Sequence, residues 1–402
     1  RWLGARAVAP AAWLAAGSPF LVWYAQEARN YAWLVLFVCL STTALLELQR
    51  RCDAGGVLRY VGSAAAGLLS NLSFVLALPF HLRLGLASGP TRAARLRAAA
   101  IVAAAMALVA LPWVPIVSRI WDWRRLVAPA TAAETPLRGA TTFHVAGVPF
   151  AFHVFAMGYT AGPSLRELHA DPSLRTLARH APELAASAAV FVALAALGLA
   201  ALGRRRRLWD LGVWIVAPTL VVSYLAARNF KVFNPRYLAI GLPGVLLVFA
   251  AAFADAGRRT RLALGVAVAA LWAVSLFHLE FDPAYQREDY RGALAAVRAG
   301  FAPGEQVLAV GSPDPVEYYA RGLPVSRWWL GLVDRPARMQ ETLDAAFARA
   351  RGTWVVLSRS EDLDPHGRLG RWLDARVPPA GRVARPGVRV WHVTGADAAP
   401  AR

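Results

Sequence analysis

Long apolar blocks, most of them about the length of a membrane span and closed by arginines, leave this chain few folds to choose from. Inside hydrocarbon every backbone N–H and C=O must find its partner within the chain, so such blocks resolve as α-helices. The expected spans run about Ala7–Trp23 and Tyr31–Leu46, then Ile101–Val117, Leu184–Leu202, Leu208–Leu225, Leu238–Ala254 and Leu262–Phe277. The block Tyr60–Ser88 is long for one helix and short for two. Arg92, Arg95 and Arg97 that follow it belong on the same side as Arg50, Arg51 and Arg59, which requires two short helices with a turn near Ser70-Asn71. That makes about nine spans. Arg204 to Arg207 and Arg258, Arg259 and Arg261 mark the cytoplasmic side again, and Ser118–Pro182 is then a long external segment holding Trp121 and Trp123.

Hydrophobic residues make up 57% of the chain and charged residues 17%, against about 45–50% and about 25% in an ordinary soluble protein. The net charge of +19 sits in short arginine-rich loops between apolar blocks, so it reads as membrane topology and no nucleic acid is expected as a partner. Cys39 lies in an apolar run and Cys52 in a basic loop, so neither a disulfide nor a cysteine metal site is expected.

The remainder, 280–402, is different in kind: mixed in charge, rich in Pro and Gly, with no spanning run. Gln306–Gly311, Thr353–Ser358 and Val388–Val393 read as strands, and Asp289–Ala299 and Ala337–Ala350 have helical spacing. The fold class is therefore a polytopic α-helical membrane protein with a C-terminal α/β domain. The expected domains are 1–279, in the membrane, and 280–402, soluble and extracytoplasmic.

By this topology three polar stretches converge on the external side. The first is Gln26-Glu27-Ala28-Arg29-Asn30-Tyr31, between two expected spans. An ionisable group at the membrane boundary is costly and marks a functional site, although an interfacial turn with Arg and aromatic anchors fits the same residues. Glu27 is a candidate general base, or else a structural partner of Arg29 or Arg236. The second is Gly158-Tyr159-Thr160-Ala161-Gly162-Pro163-Ser164-Leu165-Arg166-Glu167-Leu168-His169, whose glycines permit close approach of backbone to a ligand. Ser164 with Glu167 three residues on is also a capping-box pattern. The third is Arg228 to Tyr237, where Arg228, Lys231 and Arg236 place three cations against the positive-inside bias. Fixed positive charge there suits a phosphate or pyrophosphate, with a polar cap on two helix ends as the alternative. His144, His153, His169 and His180 match no zinc spacing; a divalent cation stays open as a cofactor.

Ser18 to Phe37, SPFLVWYAQEARNYAWLVLF, resembles the "sP…ygQEaRxY" segment of GT-C type membrane glycosyltransferases of the family 39 group, which includes protein O-mannosyltransferases and aminoarabinose transferases. Gly158–His169, Asn234–Gly244 and the opening of the C-terminal domain, EDYRGALAAV, are similar to bacterial members, so the resemblance spans nearly the whole chain. It implies a GT-C-like bundle in the bacterial inner (cell) membrane. It implies inverting transfer of a sugar from a polyprenyl-phosphate donor to a lipid, glycan or protein hydroxyl on the extracytoplasmic face. Gln26, Glu27, Arg29 and Tyr31 would then belong to the active-site loops, with Tyr159, Ser164 and Glu167 in support. Arg236 and Tyr237 would lie by the donor phosphate, and Arg228, Lys231 and Arg236 would clamp it. Members carry a catalytic acidic residue in their first external loop. The opening helix here resembles a later helix of the family, so that N-terminal region is expected to precede Arg1 or to be lost in a degenerate member. A lipid-linked sugar flippase would use the same cations, and an inactive membrane scaffold is the remaining alternative.

Overall fold

The computed structural model describes residues 3–27, 29–87, 91–120, 123–126, 143–171, 173–204, 207–328, 336–364 and 366–394. Ala28, Trp121 and Arg205-Arg206 of the stretches above lie outside the described residues. The chain divides into two compact units, one of residues 1–161 and 182–275 and the other of residues 162–181 and 276–402.

The first unit is helical. It contains α1 (Val8–Gly17), α2 (Pro19–Ala25), α3 (Tyr31–Leu48), α4 (Ala54–Ser70), α5 (Leu78–Ala87), α6 (Arg92–Ala110), α7 (Val114–Ile120) and α8 (Gly147–Met157). The short α9 (Leu165–Ala170) and α10 (Leu174–Arg179) belong to the second unit. The first unit resumes with α11 (Ala181–Arg204), α12 (Leu208–Ala227) and α13 (Leu242–Asp255), and α14 (Arg258–Phe281) runs on past its end. Among the described residues six helices are long and apolar enough to cross a membrane: Tyr31–Leu48, Arg92–Arg119, Ala181–Arg204, Leu208–Ala227, Pro235–Asp255 and Arg258–Phe281. This is an integral membrane protein by helix length and composition.

Two of the expected regions are absent from these six, each with a local cause: the first span, which is bent, and the Tyr60–Ser88 block, which forms the expected pair of short helices with a turn at Ser70-Asn71. The first expected span is broken: Ala5–Gly17 and Pro19–Ala25 meet at 52°. Pro19 excludes the helical conformation from Ser18, which caps α2 by accepting from the Leu21 amide at 3.4 Å. The block around Tyr60–Ser88 forms α4 and a second apolar stretch, Leu72–Ala87, parted at Asn71. Asn71 is extended and its side chain accepts from the Ser73 amide, which restarts the chain. Ala5–Gly17, Pro19–Ala25 and Leu72–Ala87 are each too short as straight helices to bridge about 30 Å of hydrocarbon alone.

Packing in this unit includes a buried polar chain. Tyr60 donates to His81 Nδ1 at 3.2 Å, and His81 Nε2–H donates to Thr42 Oγ1 at 3.2 Å. Thr42 in turn donates to the Val38 carbonyl at 2.6 Å, and all three side chains are buried. The chain runs through α3, α4 and α5, and each donor has one acceptor. His81 is thereby explained as a satisfied core histidine. A buried carboxylate, Asp210 on α12, is held by Arg83 at 3.2 Å and Arg207 at 3.3 Å.

The second unit carries α15 (Tyr290–Gly300), β1 (Glu305–Val310), α16 (Pro313–Tyr319), β2 (Val325–Trp328), α17 (Pro336–Phe347), β3 (Gly352–Ser358), α18 (Ser360–Leu363), α19 (Arg368–Asp374), β4 (Arg382–Arg385) and β5 (Val388–Thr394). The sheet order is β2-β1-β3-β5-β4, with β1 parallel to β2 and β3, and β5 antiparallel to β3 and β4. Tyr290, Leu294 and Val316 from α15 and α16 pack against Val307, Ala309 and Val356 on one face. Leu343, Leu369 and Leu373 from α17 and α19 pack against Leu308, Val355 and Leu357 on the other. Burial on both faces is why β1 and β3 are unbroken apolar runs. The short strands β2 and β4 carry no such run and were not expected from the sequence.

Candidate functional site

The site is built where the break between α2 and α3 meets the turn that opens the Pro235–Asp255 span. α2 ends at Gln26, which is exposed, and Glu27 and Arg29 follow in an ion pair of 3.5 Å. The Glu27 side chain is 18% exposed and that of Arg29 51%. Asn30 donates to the Ser70 carbonyl and accepts from Asn71 at 3.0 Å. This clasp fixes the start of α3, whose first residue is the buried Tyr31.

The second wall is Asn234–Tyr237. Asn234 caps the turn, accepting the Arg236 amide at 3.1 Å on its side-chain oxygen. The same oxygen accepts from the Tyr159 hydroxyl at 3.4 Å, and the Tyr159 and Tyr24 hydroxyls meet at 3.2 Å. The Arg236 guanidinium lies 5.3 Å from the Tyr237 ring centre and 6.0 Å from that of Tyr31. Lys231 Nζ lies 4.7 Å from the Tyr237 ring, so two cations share it. Among the described residues the buried Arg236 Nε makes no hydrogen bond.

Beneath the charges is an aromatic floor. The Tyr24 ring sits 5.2 Å from that of Tyr31, Trp23 5.5 Å from Tyr159, and Phe20 5.2 Å from Phe155 on α8. Gly158 positions Tyr159. Its φ is +73°, and a Cβ there would come within 2.9 Å of Pro19. The close approach that Gly158 allows here is to the chain itself, at the start of α2.

Both Glu27 and Arg236 lie near enough to Tyr24, Tyr31 and Tyr159 to act on them electrostatically. Glu27, Arg29, Tyr31, Tyr159, Lys231, Arg236 and Tyr237 are thus gathered in one unit, with Gln26 at its rim. Arg228 is turned back along α12, with its guanidinium 5.6 Å from the Tyr224 ring. The helix ends just beyond, at Asn229, whose left-handed φ of 55° makes the C-terminal cap.

Ser164 and Glu167 lie in the second unit, and there they form the capping box of α9: each accepts the other's backbone N–H. Burial pushes the Glu167 carboxyl up. The Ser164 amide and the His180 ring outweigh that and hold it below the usual carboxylate range. Arg166 grips the Pro283 and Gln286 carbonyls at 2.8 and 2.7 Å, which ties this segment to 283–286.

Sequence reasoning left out Tyr24, Asn234 and Asn71 as site residues. Asn before Pro-Arg reads as a breaker; that it also accepts from Tyr159 is a contact between segments that the local sequence does not show. Among the described residues no group of three His, Cys, Asp or Glu is placed to hold a metal ion. No protein-family model, curated protein or solved structure matches the chain.

Proposed function

We propose that the protein is a membrane glycosyltransferase, moving a sugar from a polyprenyl-phosphate donor to a hydroxyl acceptor at the extracytoplasmic face of a bacterial inner membrane. The observation that carries this reading is that one unit gathers a carboxylate, two clustered cations and buried tyrosines. Glu27 supplies the carboxylate, and Arg236 and Lys231 supply the charge. The resemblance of Ser18–Phe37 to the GT-C family 39 group supports the same assignment, and the arginine-rich loops support the orientation.

The acceptor O–H gives its proton to the Glu27 carboxylate as its oxygen attacks the anomeric carbon. The bond from that carbon to the phosphate oxygen breaks on the opposite side, and polyprenyl phosphate leaves with the bonding electron pair. Arg236 and Lys231 stabilise the charge that develops on the phosphate, and the aromatic floor excludes water from one side. Arg29, 3.5 Å away, orients Glu27. No covalent intermediate is needed, so positioning and fixed charge supply most of the acceleration.

The test is donor consumption in vesicles carrying the protein, with a polyprenyl-phosphate sugar as substrate. Release of free polyprenyl phosphate that falls in Arg236→Ala and in Glu27→Gln supports the proposal. Release that equals the wild-type level in both variants overturns it.

A further inference from the structure

The first unit carries a second feature that the proposed reaction does not use: an open-sided cavity of about 600 Å³ between α1, α3 and α13. Val8, Ala11 and Ala15 line it from α1, Val35 from α3 and Leu246 from α13. Its polar lining residues include Thr42, Thr43 and Glu47, all on α3. The hydroxyls are already committed. Thr42 donates to the Val38 carbonyl at 2.6 Å and Thr43 to the Cys39 carbonyl at 2.9 Å. A buried water needs two to four polar partners, and this wall does not supply them. The cavity is built for hydrocarbon.

From Val35 to Glu47 the cavity follows α3 for about 18 Å at 1.5 Å per residue, roughly the depth of one leaflet's acyl chains. Its charged residue is at one end only. Glu47 pairs with Arg59 at 3.6 Å, with side chains 50% and 60% exposed, and Arg50 and Arg51 are exposed beside them. An anion and a cation held side by side at the mouth of an apolar slot match a head group that carries both charges.

We propose that this cavity holds one acyl chain of a zwitterionic glycerophospholipid, with its ammonium on Glu47 and its phosphate on Arg59. This occupant is distinct from the donor proposed above. The donor's phosphate belongs at Arg236 and Lys231, by the Tyr31 end of α3, whereas the cavity's charge lies at the opposite end of the same helix. The bound lipid would wedge α1 against α3.

The experiment is native mass spectrometry of the detergent-released protein after incubation with palmitoyl-oleoyl phosphatidylethanolamine. One lipid retained per protein is expected. Ala11→Trp fills the slot and should abolish retention. Glu47→Gln lies at the mouth, leaves the core intact, and should weaken retention roughly tenfold and remove the preference over phosphatidylglycerol. Should Ala11→Trp fail to fold, Glu47→Gln and Arg59→Gln decide the matter alone. Retention of no phospholipid, retention unchanged in the mouth variants, or displacement by polyprenyl phosphate at equal concentration would each overturn the proposal.

Discussion

The Arg236 guanidinium lies 6.0 Å from the centre of the Tyr31 ring, bringing together the first turns of two spans that are far apart in sequence. Arg236 stands at the start of one and Tyr31 at the start of the other, so the cation is carried by rigid helix ends. Replacing Arg236 with Ala should lower turnover roughly 100-fold, the usual cost of losing one donor to a developing anion. Arg236→Lys should recover part of it. Steady-state transfer rates check this, and a change of less than a few-fold would remove Arg236 from the proposed phosphate site.

Asn234 acts on Arg236 through the backbone, at 3.1 Å from its amide, and on Tyr159 at 3.4 Å. Asn234→Ala should cost about 1 kcal/mol of stability as a lost cap. Its effect on transfer should exceed that of Tyr159→Phe, which removes a single hydroxyl. Thermal unfolding and transfer rates measured on the same preparations separate the two effects.

Gly158 has no room for a methyl group. With φ at +73° and Pro19 within 2.9 Å of the added carbon, Gly158→Ala should destabilise the first unit by at least about 1–2 kcal/mol. It should also displace Tyr159. Hydrogen exchange should rise in α2 and α8 and remain unchanged in the sheet of the second unit.

The Tyr60–His81–Thr42 chain is directional, so its two ends are not equivalent. Tyr60→Phe leaves the His81 Nδ1 acceptor buried and unmet, at about 1–2 kcal/mol in a membrane bundle. Thr42→Val leaves His81 Nε2–H without its acceptor, at similar cost. A double-mutant cycle should show the two substitutions to be coupled; strict additivity would contradict the relay.

The second unit should weaken at low pH. Burial pushes the Glu305 carboxyl up. The Ala302 amide, the Trp354 indole N–H at 2.7 Å and His392 at 2.7 Å outweigh that and hold it below the usual carboxylate range. A carboxylate depressed in the fold contributes stability above its unfolded value and loses it as pH falls through the folded one. Hydrogen exchange of β1, β3 and β5 should therefore accelerate below about pH 4. Glu305→Gln should flatten that dependence.

The spans that are apolar throughout, such as Ala181–Arg204 and Arg258–Phe281, were legible because hydrocarbon admits no other backbone solution. So were the strands at Gln306, Thr353 and Val388, which are buried on both faces or alternate. The turn at Ser70-Asn71 was legible from the arginines that flank its block, whereas the bend at Ser18-Pro19 was not, because it breaks the backbone without interrupting the apolar run. The cluster of Glu27, Tyr31 and Arg236 followed from where the chain places charge at the membrane boundary. Tyr24 and Asn234 were hidden because their roles are contacts between segments, and no single segment shows such a contact. Arg228 shows the opposite failure: adjacency in sequence to Lys231 did not place it on the Tyr237 ring.

The most direct measurement is mass spectrometry of the lipid products from vesicles that carry the protein and an isotope-labelled polyprenyl-phosphate sugar, with an extract of membrane acceptors. Glycosyl transfer at the Glu27–Arg236 site predicts free polyprenyl phosphate, a labelled acceptor with inverted anomeric configuration, and loss of both in Arg236→Ala. Donor that crosses the bilayer intact, or donor unchanged beside the wild-type protein, would contradict it.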